Sequence, residues 1–258
     1  MNLGFAVIVQ LIVLVLLTIV FAGLVLTPRH VETRLIFRDA PDLPKAFGPD
    51  MAWLAVRSSD TIAVLAALEI DDLNPANWSS GIGAIYDPVL SDTYVFVTPP
   101  VDGWTLVAGV PLPLPAGKAF VDKLKPLLDR LAGTFPQVQF FAAYPAADFF
   151  GWATIENQRW VRAFAASEES VVWNQGRLTP AEKSLGLKLF EVRGIKGRKG
   201  DVGGPLVLHP TEEQVLSLAA AWGINPSHLP GLQGASPATG FIAKAPASWR
   251  AELKRKAA

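Results

Sequence analysis

Apolar and polar positions follow three different rhythms along this chain. From Leu3 to Leu26 the run is apolar except for Gly4, Gln10, Thr18 and Gly23, and the first 27 residues carry no charged side chain. Wound as a helix, that run is roughly 36 Å long at about 1.5 Å per residue. It suffices to cross a hydrocarbon core of about 30 Å with some tilt. Beyond it, short alternating runs predict strands at Val31–Arg38, Ala52–Arg57, Ile82–Tyr86, Thr93–Val97 and Trp104–Ala108, then at Gln137–Ala143, Phe149–Ile155, Trp160–Ala166 and Ser170–Trp173. Asn157-Gln158 predicts a tight hairpin, and Thr98–Gly103 a Pro/Gly loop.

The helical period appears elsewhere. Ser58-Ser59-Asp60 caps a predicted helix from Thr61 to about Leu68. Ala119–Leu131 places Phe120, Leu124, Leu127, Leu128 and Leu131 on one face, with a kink expected at Pro126. Thr179-Pro180-Ala181-Glu182 is a capping box, and Thr211–Gln214 opens a helix that ends at Gly223. Ala40–Pro49 holds three prolines and reads as a linker; Asn74-Pro75 and Asn77–Gly81 read as turns; Pro230–Gly240 reads as a Gly/Pro-rich tail before a short basic helix, Ala247–Lys256.

The expected fold is therefore α+β: an N-terminal transmembrane helix (1–27), a strand and Pro-rich linker (28–50), a mainly antiparallel globular domain with packed helices (51–229), and the tail (230–258). A helix followed by antiparallel strands occurs twice in this reading, a pattern compatible with internal duplication.

Charge sets the orientation. No basic residue precedes the apolar run, and Arg29, Arg34 and Arg38 follow it. The positive-inside rule then places the soluble domain on the cytoplasmic side of a plasma (inner) membrane crossed once. The rival is a cleaved leader and an exported domain, since Val20-Phe21-Ala22 is a small-residue cleavage pattern. Against it stand the missing N-terminal cations and an apolar run longer than the usual leader core of about 7–15 residues.

Composition removes several function classes. Half of the 258 residues are hydrophobic and 18% are charged, with mean hydropathy +0.31. This is not the composition of a disordered chain. Lys plus Arg and Asp plus Glu both number 23, so the basic excess of a general nucleic-acid binder is missing. No cysteine is present, which excludes disulfides, thiolate metal sites and cysteine nucleophiles.

Chemistry-bearing motifs are sparse. The histidines, His30, His209 and His228, are not spaced as metal ligands. There is no nucleophile elbow, phosphate-binding loop or dinucleotide fingerprint, and Gly81-Ile82-Gly83 lacks a third glycine. No cofactor is expected. Asp60, Asp87 and Asp102 lie in an acid-rich stretch and are the candidates for an acid–base or ligand-binding loop site. Their cap, turn and loop contexts equally suit backbone roles. Lys196, Arg198 and Lys199, in the glycine-rich run 194–204, are candidates for anion or lipid-headgroup contact. So are Arg250, Lys254, Arg255 and Lys256, with Trp249 and Leu253 on one face of the expected terminal helix. Trp53, Trp104, Trp152 and Trp160 are expected in the core, while Trp78 and Trp173, beside turns, are candidates for an aromatic-lined cleft.

The stretches AWLAVRSSD, NWSSGIGAIY, FVTPPVDGWTLVAG, VVWNQGRLTPAEKSLGL and EEQVLSLAAAWGINPSHL resemble a family of uncharacterised bacterial proteins, over Trp53 to Leu229. The resemblance implies one coherent domain and carries no activity or ligand. The functional expectation is a membrane-anchored, non-enzymatic domain that binds another protein, as an immunity or accessory factor would. The alternative is a hydrolase or small-ligand-binding domain using the acidic loop residues.

Overall fold

The computed structural model describes residues 35–115, 119–167, 171–187 and 210–254. The expected membrane span, the leader alternative and the glycine-rich basic run lie outside the described residues. Among the described residues no helix is long and apolar enough to cross a membrane. From Phe37 onward the chain forms one unit.

In chain order the elements are β1 (Met51–Val56), α1 (Thr61–Ala67), β2 (Leu73–Asn77), α2 (Trp78–Tyr86), β3 (Tyr94–Val97), β4 (Thr105–Ala108), α3 (Leu124–Thr134), β5 (Gln137–Tyr144), β6 (Phe149–Glu156), β7 (Arg159–Ala166), β8 (Val171–Gly176), α4 (Pro180–Ser184), α5 (Glu212–Trp222) and β9 (Thr239–Lys244). The strands form one nine-stranded sheet in the order β2-β9-β3-β4-β1-β5-β6-β7-β8. Every adjacent pair is antiparallel. The α+β class and the antiparallel sheet are as the sequence predicts.

Both faces of the sheet are covered, which explains why β1 reads as a continuous apolar run, MAWLAV, rather than an alternation. Met51, Trp53 and Ala55 point into one core with Ile85 of α2 and Val215 and Leu218 of α5. Ala52, Leu54 and Val56 point into a second core with Val64 and Leu65 of α1 and Leu124, Leu127, Leu128 and Leu131 of α3. Each fully buried large side chain contributes about 1.5–3 kcal/mol. In the first core Trp53 stacks on Phe141 at 5.2 Å between ring centroids.

Several elements differ from the sequence reading. Residues 78–86 are a helix, not a turn and a strand. Asn77 caps α2 by accepting from the Ser80 amide at 2.9 Å, and the Asp42 carboxylate accepts from the Trp78 and Ser79 amides. The Asn-Trp-Ser-Ser-Gly signal was thus a helix start. Gly81 faces the Phe96 ring so closely that a Cβ there would collide with it; glycine sets the approach of α2 to β3. Asn74-Pro75 belongs to β2, the sheet's edge strand, where a residue without an amide hydrogen is tolerated.

Leu35–Arg38 is not a strand. Phe37 packs edge-on against Tyr94, and the Asn77 amide donates to the Arg38 carbonyl at 2.7 Å. The Pro-rich segment 40–50 is no free linker, because Phe47 is buried and its amide donates to the Pro226 carbonyl. Pro126 occupies the first turn of α3, where its missing N–H costs no helical bond, so the helix starts later instead of kinking. Helix followed by antiparallel strands describes the second half, α3 and the β5–β8 meander. In the first half β1 pairs with β5, and β2 lies at the far edge.

The C-terminal segment is the largest correction. Thr239–Lys244 is a sheet strand, β9, inserted between β2 and β3. Beyond it a single 3-10 turn, Ala247–Trp249, replaces the expected basic helix. Trp249 is buried and Leu253 exposed, so they share no amphipathic face.

Candidate functional site

A cavity of about 680 Å³ opens at one end of the sheet, on the side of the second core. Its walls come from three segments. Residues 110–115 leave β4 as Val110-Pro111-Leu112-Pro113-Leu114-Pro115, whose three prolines hold a rigid, apolar wall. Phe149 of β6 and Val172 of β8 close the opposite side. The third wall is a strap formed by residues 245–253. The Ala245 amide donates to the Thr93 carbonyl at 2.9 Å, Val121 to Glu252 at 2.8 Å, and Lys254 to Ala119 at 2.8 Å. Phe120 and Leu253 form a bridge, and Lys123 pairs with Glu252 at 2.8 Å. The presumed tail is therefore stitched to the approach to α3.

The cavity is apolar with a short polar margin. Leu112 and Trp249 form buried surface; Lys123, Arg250, Asp92, Thr93 and Ser167 supply the polar groups. Trp249 is 5% exposed, and its indole N–H has no hydrogen-bond partner among the described residues. Pockets of this size and lining accept small molecules.

A second polar assembly lies inside the protein. Arg162 is 2% exposed and Glu182 0%. Glu182 Oε1 accepts from Arg162 Nε at 2.7 Å and from Trp152 Nε1 at 2.8 Å. Its Oε2 accepts from the Thr179 amide at 2.7 Å and the Thr179 hydroxyl at 2.9 Å. Arg162 also donates to Asn174 Oδ1 at 2.7 Å and to the Gln175 carbonyl at 3.0 Å. The capping box of α4 is thereby fastened to β6, β7 and β8.

The predicted site residues do not assemble. Asp60 caps α1 through the Ala63 amide. Asp87 accepts from the Val89 and Leu90 amides. Asp102 takes a left-handed conformation in the β3–β4 turn, and its carbonyl accepts from Arg57. Asp87 precedes β3 and Asp102 follows it, so the two lie at opposite ends of that strand. Among the described residues no group of three or more His, Asp or Glu is placed to hold a metal ion.

Trp78 and Trp173 do not form a cleft together. Trp78 is 1% exposed and packs against Phe96. Trp173 sits on β8 at the other edge of the sheet, against Trp160. Trp78 and Asp102 do border a smaller cavity of about 290 Å³ beside Pro99, Pro100 and Leu232. Of the basic candidates, Arg250 and Lys254 are exposed, and Arg250 lines the larger cavity. Lys196, Arg198, Lys199, Arg255 and Lys256 lie outside the described residues, as do His30 and His209. His228 lies within a 3-10 helix, Pro226–Gly231.

Two tyrosines near β1 are poor proton carriers at neutral pH. Burial raises the pKa of Tyr86, and Asp50 and Glu212 add to the rise; the Gly48 amide, donating to its hydroxyl, opposes it. Burial likewise pushes Tyr144 up to about 12, with smaller contributions from Tyr86 and Asp50.

Sequence reasoning missed both assemblies. The alternation Pro-Leu-Pro-Leu-Pro at 111–115 was the available signal for a rigid apolar wall. Arg162 interrupting the apolar run of β7 was the signal for a buried partner.

No family model, curated protein or solved structure matches this chain.

Proposed function

We propose that this protein is a membrane-anchored, non-enzymatic binding domain that holds an apolar ligand in the cavity beside Trp249. The observation that carries the reading is the cavity itself: about 680 Å³, walled by prolines, Leu112, Leu114, Phe149 and Trp249. Its volume and concavity suit a small ligand. The tether is the apolar run 3–26, with the domain on the cytoplasmic side by the positive-inside rule. The Asp60 and Asp87 carboxylates accept from backbone amides at a helix cap and a turn, which favours this reading over an acidic loop site.

A protein partner is the second reading, favoured by β8. This outermost strand exposes Val171, Asn174 and Gln175, a surface suited to strand addition.

The test uses membranes holding the full chain. After alkaline carbonate washing the chain stays with the membrane; release of full-length soluble protein contradicts the tether, and a mature N-terminus at Gly23 establishes the exported alternative. Small molecules extracted from the purified wild type and from Val172→Trp, which fills the cavity, are then compared by mass spectrometry. An apolar compound retained by the wild type alone supports the reading, and identical extracts contradict it.

A further inference from the structure

The cavity's polar lining comes from Asp92, Thr93, Lys123, Ser167 and Arg250, and three of the five are charged. Arg250 lines the cavity, is exposed, and has no ion-pair partner among the described residues. It follows Trp249, which is buried and also lines the cavity. Both are held by the Ala247–Trp249 turn, in which Trp249 donates to the Pro246 carbonyl at 3.0 Å and Arg250 to the Ala247 carbonyl at 3.2 Å. Lys123, also in the lining, is paired with Glu252, and among the described residues Asp92 is the one carboxylate lining the cavity. The rest of the lining is mainly aliphatic, proline and aromatic.

We propose, resting on the ligand-binding reading above, that the occupant is a single-chain amphiphile with an anionic head. The chain lies along Leu112, Leu114, Phe149 and Val172, and the head meets the Arg250 guanidinium. Two arguments support this class. Apolar burial drives chain insertion in proportion to the area removed from water. An exposed guanidinium without an ion-pair partner among the described residues is a site for a carboxylate or phosphate oxygen, and it repels a cationic head.

The test is photolabelling of the full chain in nanodiscs of zwitterionic lipid. One probe is a fatty acid with a mid-chain diazirine, and the other is the fatty alcohol of the same chain. Adducts are mapped by peptide mass spectrometry. The acid is expected to label peptides containing residues 110–115 and 245–251 more strongly than the alcohol does. Arg250→Gln lowers labelling by the acid about fivefold and leaves the alcohol unchanged. Val172→Trp removes cavity labelling by both probes. Equal cavity labelling by acid and alcohol, insensitive to Arg250→Gln, overturns the anionic class and leaves the cavity reading standing. Adducts confined to residues 1–34 with both probes overturn both.

Discussion

One polar assembly inside the protein and one at the larger cavity differ in whether their groups are already satisfied. Around Glu182 both carboxylate oxygens are engaged twice, and Arg162 donates to both protein carbonyls and side chains. Around the larger cavity the lining is mainly apolar, yet Arg250 is left without a counter-ion among the described residues. A buried ion pair draws the eye as chemistry. Its completeness identifies it as architecture, whereas the incomplete margin of an apolar cavity is where a ligand adds something.

The largest expected effect falls on the closed assembly. Glu182→Ala leaves Arg162 charged and buried, and should destabilise the fold by about 3–5 kcal/mol. Denaturant unfolding followed by tryptophan fluorescence measures it. Replacing both partners, Arg162→Met with Glu182→Leu, should recover most of that loss, since no unpaired charge remains. A double variant as unstable as the single would show that the network contributes more than charge compensation.

Trp104→Ala should cost about 3–5 kcal/mol, because Trp104 is buried in the first core with Arg57 over its ring. An unchanged unfolding midpoint would show that this end of the sheet depends little on it. The open assembly should behave differently. Arg250→Gln should change stability by less than about 0.5 kcal/mol, as at other exposed positions, while weakening ligand retention. A large loss of stability would make Arg250 architectural as well.

A smaller effect is expected at alkaline pH. Tyr144 is raised by burial from 10.0 to about 12 in the folded protein. The folded state therefore holds a proton that the unfolded state releases first. Its contribution is complete below about pH 10 and is lost as pH rises through about 12. Tyr144→Phe should flatten the decline of the unfolding midpoint across that window; an identical decline in both proteins would show that Tyr144 is not its source.

Much of this was legible beforehand. The β5–β8 meander, its Asn157-Gln158 hairpin, the Thr179 capping box and the helix start at Thr211 came from local signals, where turn chemistry and period agree. The failures have a common cause. Asn-Trp-Ser-Ser-Gly suits a turn and a helix cap equally, and Asp42, distant in sequence, decides between them by accepting from the first amides of α2. Likewise β9 is a short run after a Gly/Pro-rich stretch. It becomes a strand because β2 and β3 leave a gap that it fills by long-range pairing. The cavity was hidden for the same reason. Its walls come from residues 93, 110–115, 149, 172 and 245–251, and no window of sequence contains them together.

The most direct measurement follows the methyl groups of the full chain in nanodiscs by NMR as fatty acid is added. Leu112, Leu114 and Val172 line the cavity, while Leu65 and Leu68 sit under α1 in the same core. The account predicts saturable shifts at Leu112, Leu114 and Val172, little change at Leu65 and Leu68, and loss of the response at Leu112 and Leu114 in Val172→Trp. Uniform shifts across all five methyl-bearing residues, or none at the cavity, would contradict it.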